Sequence, residues 1–325
     1  MRVEEGCSLM LMERIAPVAA DVEVAVPADL PQLGRSVMAR VTGPEGAPLI
    51  VVLGGISGNR FVARGTDGGV GWWPGLVGEG RAIDPHHHRV LGLDFAADAS
   101  GSTAPSTYDQ ARIVCAALDA VGVERADAIV GASYGGMVAL SLAEHFPERV
   151  ERIVVISAAA EPHPAASASR ELQRRVVALG LASGQGEDAL AIARGMAMLT
   201  YRTSEEFGER FTGGLPSTCP VDATEPGKYL RARGSAFCSV MTPERFLSLS
   251  GSIDRHNVEP ERIACPVLLI GATSDQLVPP VQMKALAERL PDAGLHLLDC
   301  LYGHDMFLKE AEKVGALVAP FLARA

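Results

Sequence analysis

Residues 127–147, "DAIVGASYGGMVALSLAEHFP", constrain the fold more than any other stretch of the chain. An apolar run ends at Ser133, which has Gly131 and Gly135 two residues away on either side, and a second apolar run continues to Pro147. The first run has the length and composition of a buried strand, and the second has those of a helix. G-x-S-x-G between a strand and a helix is the nucleophile elbow, a strained turn that presents a serine hydroxyl while small flanking residues let the backbone pass closely. The alternative is a glycine-rich structural turn, and the strand-before, helix-after context favours the elbow.

The surrounding pattern is consistent with that reading. "PLIVVLGG" (48–55), "RVLGLDFA" (89–96), "VERIVVISAA" (150–159) and "CPVLLIGATSD" (265–275) are continuous apolar runs of strands buried on both faces. Helical periodicity falls at 107–123, 133–147, 280–291 and 306–324, so strands and helices alternate, the signature of the α/β class with a mostly parallel sheet flanked by helices. The stretch before residue 48 gives no assignable element. From 161 to 258 the alternation stops and several helices follow one another, including 169–181, 187–202, 204–211 and 242–255. The expected organisation is a core of residues 1–160 and 259–325 with a helical lid insertion at 161–258.

A net charge of −10 argues against nucleic acid as a partner, since phosphate binding rests on Lys and Arg. The six cysteines form no C-x-x-C pair, and neither they nor the histidines have metal-like spacing, so no metal and no tightly bound cofactor are expected. His86, His87 and His88 read as a solvated loop. Glu4, Glu5 and Glu13 interrupt the N-terminal apolar patch, which speaks against a signal peptide or membrane span and for a cytoplasmic protein.

A serine hydroxyl needs a base and an acid that orients the base. In the order Ser, Asp, His, the candidates are Asp275 in "IGATSDQLVP", just past the expected strand in 265–275, and His304 in "LYGHDMF", in a loop after the next one, "GLHLLDC" (294–300). A helix cap and a surface histidine are the respective alternatives. The developing oxyanion needs donors: the backbone N–H of Tyr134, and one from Leu53 or Gly54 in the loop after "LIVVL".

Beyond this, the chain resembles the homoserine O-acyltransferases of the α/β-hydrolase superfamily. The resemblance rests on "GWWPGLVGEGRAID" (71–84), "GSTAPS" (101–106), "GASYGGMVAL" (131–140), "ELQRRVV" (171–177), "LTYRTSEEFGERF" (199–211), "YLRARGSAF" (229–237), "ERFLSLSGSIDRHNV" (244–258), "SDQLVPPVQM" (274–283) and "YGHDMFLKE" (302–310). It implies an α/β-hydrolase fold and a ping-pong reaction in which Ser133 takes an acyl group from acyl-CoA and passes it to L-homoserine. It further implies that Arg202 of "TYR" binds the acceptor's carboxylate, that Asp305 after the catalytic histidine binds its ammonium, and that the protein is a homodimer formed through the helical insertion. A salt bridge to Glu205 or Glu206 is the alternative role for Arg202.

The chain is shorter than the acetyl-transferring members, lacks their extended segment before "GST", and carries "LGGISGNR" after the first long strand. It is therefore more similar to the branch that uses succinyl-CoA, with Gly55, Ile56, Ser57 and Arg60 as acyl-specificity residues. A buried succinyl carboxylate needs a cation, for which Arg60 or Arg64 is the candidate, a solvated surface charge being the alternative for each. Homoserine O-acetyltransferase and serine O-acyltransferase are the neighbouring alternatives. A carboxylesterase, and a binding protein on an inactive hydrolase scaffold, are more distant ones.

Overall fold

The computed structural model describes residues 18–63, 69–211, 217–221 and 224–324. Eight strands form one sheet: β1 (Ala19–Ala25), β2 (Ser36–Thr42), β3 (Leu49–Leu53), β4 (Arg89–Leu93), β5 (Ala128–Ala132), β6 (Ile153–Ile156), β7 (Val267–Ala272) and β8 (Ala293–Leu298). Their spatial order is β1-β2-β4-β3-β5-β6-β7-β8. Only the pairs β1–β2 and β2–β4 are antiparallel; every other pair is parallel. The chain thus has the α/β architecture expected, with helices α1 (Thr107–Ala120), α2 (Tyr134–His145), α8 (Pro280–Arg289), α9 (Met306–Lys309) and α10 (Ala311–Leu322) around the sheet.

The continuous apolar runs are buried throughout in β3, β5, β6 and β7. Their side chains alternate between two apolar layers, because successive strand residues face opposite sides. Leu49, Val51 and Leu53 join the layer that contains Leu140 of α2, whereas Ile50 and Val52 join the layer that contains Val314 and Val318 of α10. At about 25 cal/mol per Å² of apolar surface removed from water, this two-sided burial is the main force holding the central strands in place.

Two strands lie in the stretch before residue 48, where no element was assignable. β1 and β2 form the antiparallel edge, and most of their residues are exposed or only partly buried, so no long apolar run marks them.

Five helices, α3 (Pro164–Ala182), α4 (Gly186–Tyr201), α5 (Ser204–Arg210), α6 (Glu225–Phe237) and α7 (Pro243–Asp254), lie between β6 and β7 in the chain. Asp254 at the end of α7 accepts from Arg170 Nε at 2.8 Å and Arg174 Nη1 at 2.7 Å, which pins α3 to α7. Just beyond, the buried His256 pairs through Nδ1 with Thr107 Oγ1 at 2.9 Å and through Nε2 with the Ala159 carbonyl at 3.0 Å. The end of α7 is thereby fastened to the sheet end of β6 and to α1. No described helix is long and apolar enough to cross a membrane. The described cysteines are free thiols, Cys115 and Cys265 buried and Cys219 exposed; Cys7 lies outside the described residues.

Candidate active site

Ser133 sits between β5 and α2 with φ 54° and ψ −119°, a backbone conformation that costs a non-glycine residue roughly 1–3 kcal/mol. Two observations explain how the turn holds. Its own N–H donates to the Ile156 carbonyl at 2.8 Å and the Gly135 N–H donates to the Gly54 carbonyl at 2.8 Å, tying the elbow to both neighbouring strands. The glycines permit the crossing: a Cβ on Gly131 would lie 2.2 Å from the Gly135 carbonyl oxygen, and one on Gly135 would lie 2.3 Å from that of Leu53. The G-x-S-x-G spacing is therefore a packing requirement, and it leaves the serine hydroxyl facing outward.

The loop after β7 supplies Asp275 and the short 3₁₀ turn Gly303–Asp305 supplies His304. His304 Nε2 is 2.8 Å from Ser133 Oγ, and His304 Nδ1 is 2.8 Å from Asp275 Oδ2. Since a carboxylate only accepts, Nδ1 carries the proton and Nε2 is left to accept from the serine hydroxyl. Asp275 is 3% exposed and is held by the N–H groups of Leu277 and Val278, which donate to Oδ1 at 2.9 and 3.0 Å. Burial disfavours the charged imidazolium of His304, but the Asp275 carboxylate outweighs it and holds the imidazole pKa above its ordinary value. The three residues singled out by chain order thus form one connected hydrogen-bonded relay.

Two cavities meet at this relay, and Ser133, Tyr201, Ile253 and His304 line both. One extends between α3 and the loop after β7, with Arg170 and Gln173 in its wall. The other is bounded by Gly55–Gly58, Trp72, Asp305 and Arg194. Gly55, Ile56 and Ser57 accordingly reach the site. Leu53 and Gly54 do not line either cavity: Leu53 is the last residue of β3 with its carbonyl beneath Gly135, and Gly54 bonds the elbow through its own carbonyl. The wall beside Ser133 begins at Gly55, one residue past the expected pair. Tyr134 opens α2, and its backbone N–H donates to no carbonyl of the described residues. Its phenol is buried, bonds Ser252 Oγ of α7 at 2.5 Å, and is pushed well up in pKa by that burial.

Arg60 is not available to an acyl group. Its Nη1 donates to Asp94 Oδ2 at 2.6 Å, its backbone N–H donates to Asp94 Oδ1 at 2.8 Å, and its Nε lies 3.5 Å from Asp21 on β1. It stacks over Phe61 and lines neither cavity. The other candidate cation, Arg64, lies outside the described residues.

Arg202 and Asp305, expected on opposite ends of an acceptor, meet each other directly. Arg202 Nε donates to Asp305 Oδ2 at 2.6 Å and Nη1 donates to Glu206 Oε1 at 2.7 Å. Burial alone would depress the guanidinium, but the two carboxylates overcome it and raise its pKa. Arg202 lines neither cavity itself, and it reaches the site only through Asp305, which lines the second. Arg170, Arg194, Tyr201 and Ile253 were not singled out in the sequence; each sits in the helical stretch 161–258, where nothing in local spacing marks which side chains face the serine.

Comparison with known proteins agrees with this fold. The family model described as the alpha/beta hydrolase fold matches residues 48–311. A homoserine O-succinyltransferase of Xanthomonas campestris pv. campestris is 40% identical over 285 residues, 87% of this chain and 77% of that protein. A homoserine O-acetyltransferase of Deinococcus radiodurans is 30% identical over 296 residues, 86% of this chain and 84% of that one. Among solved structures, a homoserine O-acetyltransferase from Staphylococcus aureus superimposes with a TM-score of 0.77 at 24% identity, covering 95% of each chain, which speaks to the fold. On fold, elbow and shared sequence together, the chain belongs to the homoserine O-acyltransferase family of the α/β-hydrolase fold.

Proposed function

We propose that this protein moves a succinyl group from coenzyme A to the side-chain hydroxyl of L-homoserine through an ester on Ser133. The observation that carries the reading is the Ser133–His304–Asp275 relay opening onto cavities that hold a carboxylate, Asp305, and arginines. His304 Nε2 takes the serine proton as Oγ attacks the thioester carbonyl. The oxygen's developing charge meets the N–H of Tyr134 and the backbone N–H groups of the Gly55–Ile56 wall. Collapse breaks the C–S bond, and His304 returns the proton to the departing thiol. Homoserine's hydroxyl then gives its proton to the same nitrogen and attacks the acyl ester, and Ser133 leaves as the restored alcohol. Asp305, held in place by Arg202, is the partner for the acceptor's ammonium.

Arg170 replaces Arg60 as the group that selects succinyl. It lines the cavity at Ser133, and with Arg174 it shares the single carboxylate of Asp254. Arg170 meets Asp254 through Nε and Nη2, which leaves its Nη1 for a second, terminal carboxylate on the acyl group. The 40% identity to a succinyltransferase, against 30% to an acetyltransferase, supports the same choice. Thiol release from succinyl-CoA and acetyl-CoA in the presence of homoserine tests it. A preference for acetyl-CoA would overturn the donor, and release unaffected by homoserine would overturn the acceptor.

Leu172 and Leu179 of α3 and Ile192 and Leu199 of α4 are exposed at seven-residue intervals, which supports a homodimer through the helical segment. Sedimentation of the protein as a monomer would remove that part of the proposal.

A further inference from the structure

α7 carries three buried serines, Ser248, Ser250 and Ser252, and each fastens the helix to a different partner. Ser248 Oγ accepts from the Asp98 N–H at 3.0 Å, and Ser250 Oγ accepts from Arg174 Nη1 of α3 at 3.2 Å. Those two bonds seat the helical segment on its surroundings. Ser252 reaches the elbow itself, since its Oγ is 2.5 Å from the phenol oxygen of Tyr134, the residue that follows the nucleophile. The Tyr134 ring meets Phe95 edge to face with centroids 4.8 Å apart. Gln110 approaches the same phenol from α1, with both ends of its amide already bonded to the Ala96 backbone. The Tyr134 side chain is therefore held along its whole length, and the helical segment supplies the partner at its tip.

The backbone N–H of the same residue donates to no carbonyl of the described residues, although the N–H groups of Ser133 before it and Gly135 after it are both taken. A donor left open in this way stabilises a developing oxyanion only when it is aimed in advance, because reorientation during the reaction would cancel what it contributes. Resting on the acyl-transfer reading above, we infer that Ser252 is a positioning residue whose bond to the Tyr134 phenol aims the Tyr134 N–H at the oxyanion of the acyl group. Ser252 lines neither cavity, so it acts through Tyr134. The next residue, Ile253, lines both cavities, and Asp254 holds Arg170 in the wall of one of them. One turn of α7 thus shapes the room for the acyl group and supports the donor for its carbonyl oxygen, which ties the chemical step to the seating of the helical segment.

The test follows the burst of thiol released from succinyl-CoA before any acceptor is added, in the wild type, Ser252→Ala, Tyr134→Phe and the double variant. Burst rates over a range of succinyl-CoA concentrations separate the saturating rate from the concentration that gives half of it. Removal of an oxyanion donor costs about 10²- to 10³-fold in rate, so a donor that remains but is no longer aimed predicts a fall of roughly 10- to 100-fold in the saturating rate. The half-saturating concentration stays at the wild-type value. The single variants fall by the same factor and the double variant falls no further, because all three lack the same bond. Tyr134→Phe leaves no phenol unpaired, and Ser252 can then bond a carbonyl of its own helix, so this variant gives the rate even where Ser252→Ala is too unstable to purify. A bond that only seats the helical segment would give a different pattern, in which urea unfolding and the half-saturating concentration change and the saturating rate does not. That pattern, a saturating rate within about twofold of wild type in Tyr134→Phe, or losses that multiply in the double variant would each overturn the inference. A wild type that gives no burst from succinyl-CoA would instead remove the underlying reading and the inference with it.

Discussion

His256 makes the attachment of the helical segment sensitive to acid. It is 2% exposed, and burial pushes its imidazole from the ordinary 6.5 down to about 4, with the Ala159 carbonyl opposing only in part. Protonation would leave a charged ring whose Nδ1 faces Thr107 Oγ1 in a dry site. The unfolded chain therefore binds this proton more readily than the folded one, so stability is fully present above about pH 6.5 and is lost as pH falls towards 4. Integrating between those two pKa values gives a loss of about 2 kcal/mol from pH 7 to pH 5, and about 3 kcal/mol once pH is below both. The assay is urea unfolding of the wild type and of His256→Gln at several pH values from 7 to 5. The difference between the two cancels the other titrating groups, including His304, whose raised pKa acts in the opposite sense. The wild-type advantage should shrink by about 2 kcal/mol over that range, whatever its size at pH 7. A difference that stays flat within about 0.5 kcal/mol would refute the argument that this histidine is held neutral by burial.

Asp275→Asn keeps the shape of the relay but no longer fixes the proton on His304 Nδ1, so kcat should fall by about 10⁴-fold; a loss of less than about tenfold would mean that another group orients the base. The acid limb of kcat/KM should have its midpoint above pH 6.5, because His304 must be neutral to accept the serine proton and Asp275 holds the imidazolium; a midpoint well below 6.5 would contradict the raised value. Arg170→Leu should raise KM for succinyl-CoA about tenfold or more while changing that for acetyl-CoA little, measured by thiol release; equal effects on both donors would assign Arg170 to the α3–α7 attachment alone.

The central strands and the relay were legible for related reasons. β3, β5, β6 and β7 are buried on both faces, so each is a continuous apolar run, and the elbow glycines record a close crossing that tolerates no Cβ. Asp275 and His304 follow from the order of a triad along the chain. β1 and β2 were not assigned because an edge hairpin with partly exposed residues has no such run. α6 went unassigned because Pro226, Gly227 and Gly234 interrupt its helical signal; a Cβ on Gly234 would lie 2.3 Å from the Ala191 carbonyl oxygen of α4, so packing requires what propensity disfavours. Arg60 misled for a different reason. It is close to the Gly55–Ser57 loop in sequence, but Asp94 just past β4 and Asp21 on β1 capture its guanidinium, and only sheet order brings those carboxylates to it. The arginines that do reach the cavities lie on helices whose orientation is set by tertiary packing, through pairs such as Arg170 with Asp254 and stacks such as Arg194 on Phe237.

The intact mass of the protein after brief exposure to succinyl-CoA tests the central claim most directly. The account predicts a single added succinyl group, located on Ser133 by peptide mapping, absent in Ser133→Ala, and discharged on addition of L-homoserine as O-succinylhomoserine. An unmodified protein, or an adduct that decays at the same rate with and without homoserine, would contradict it.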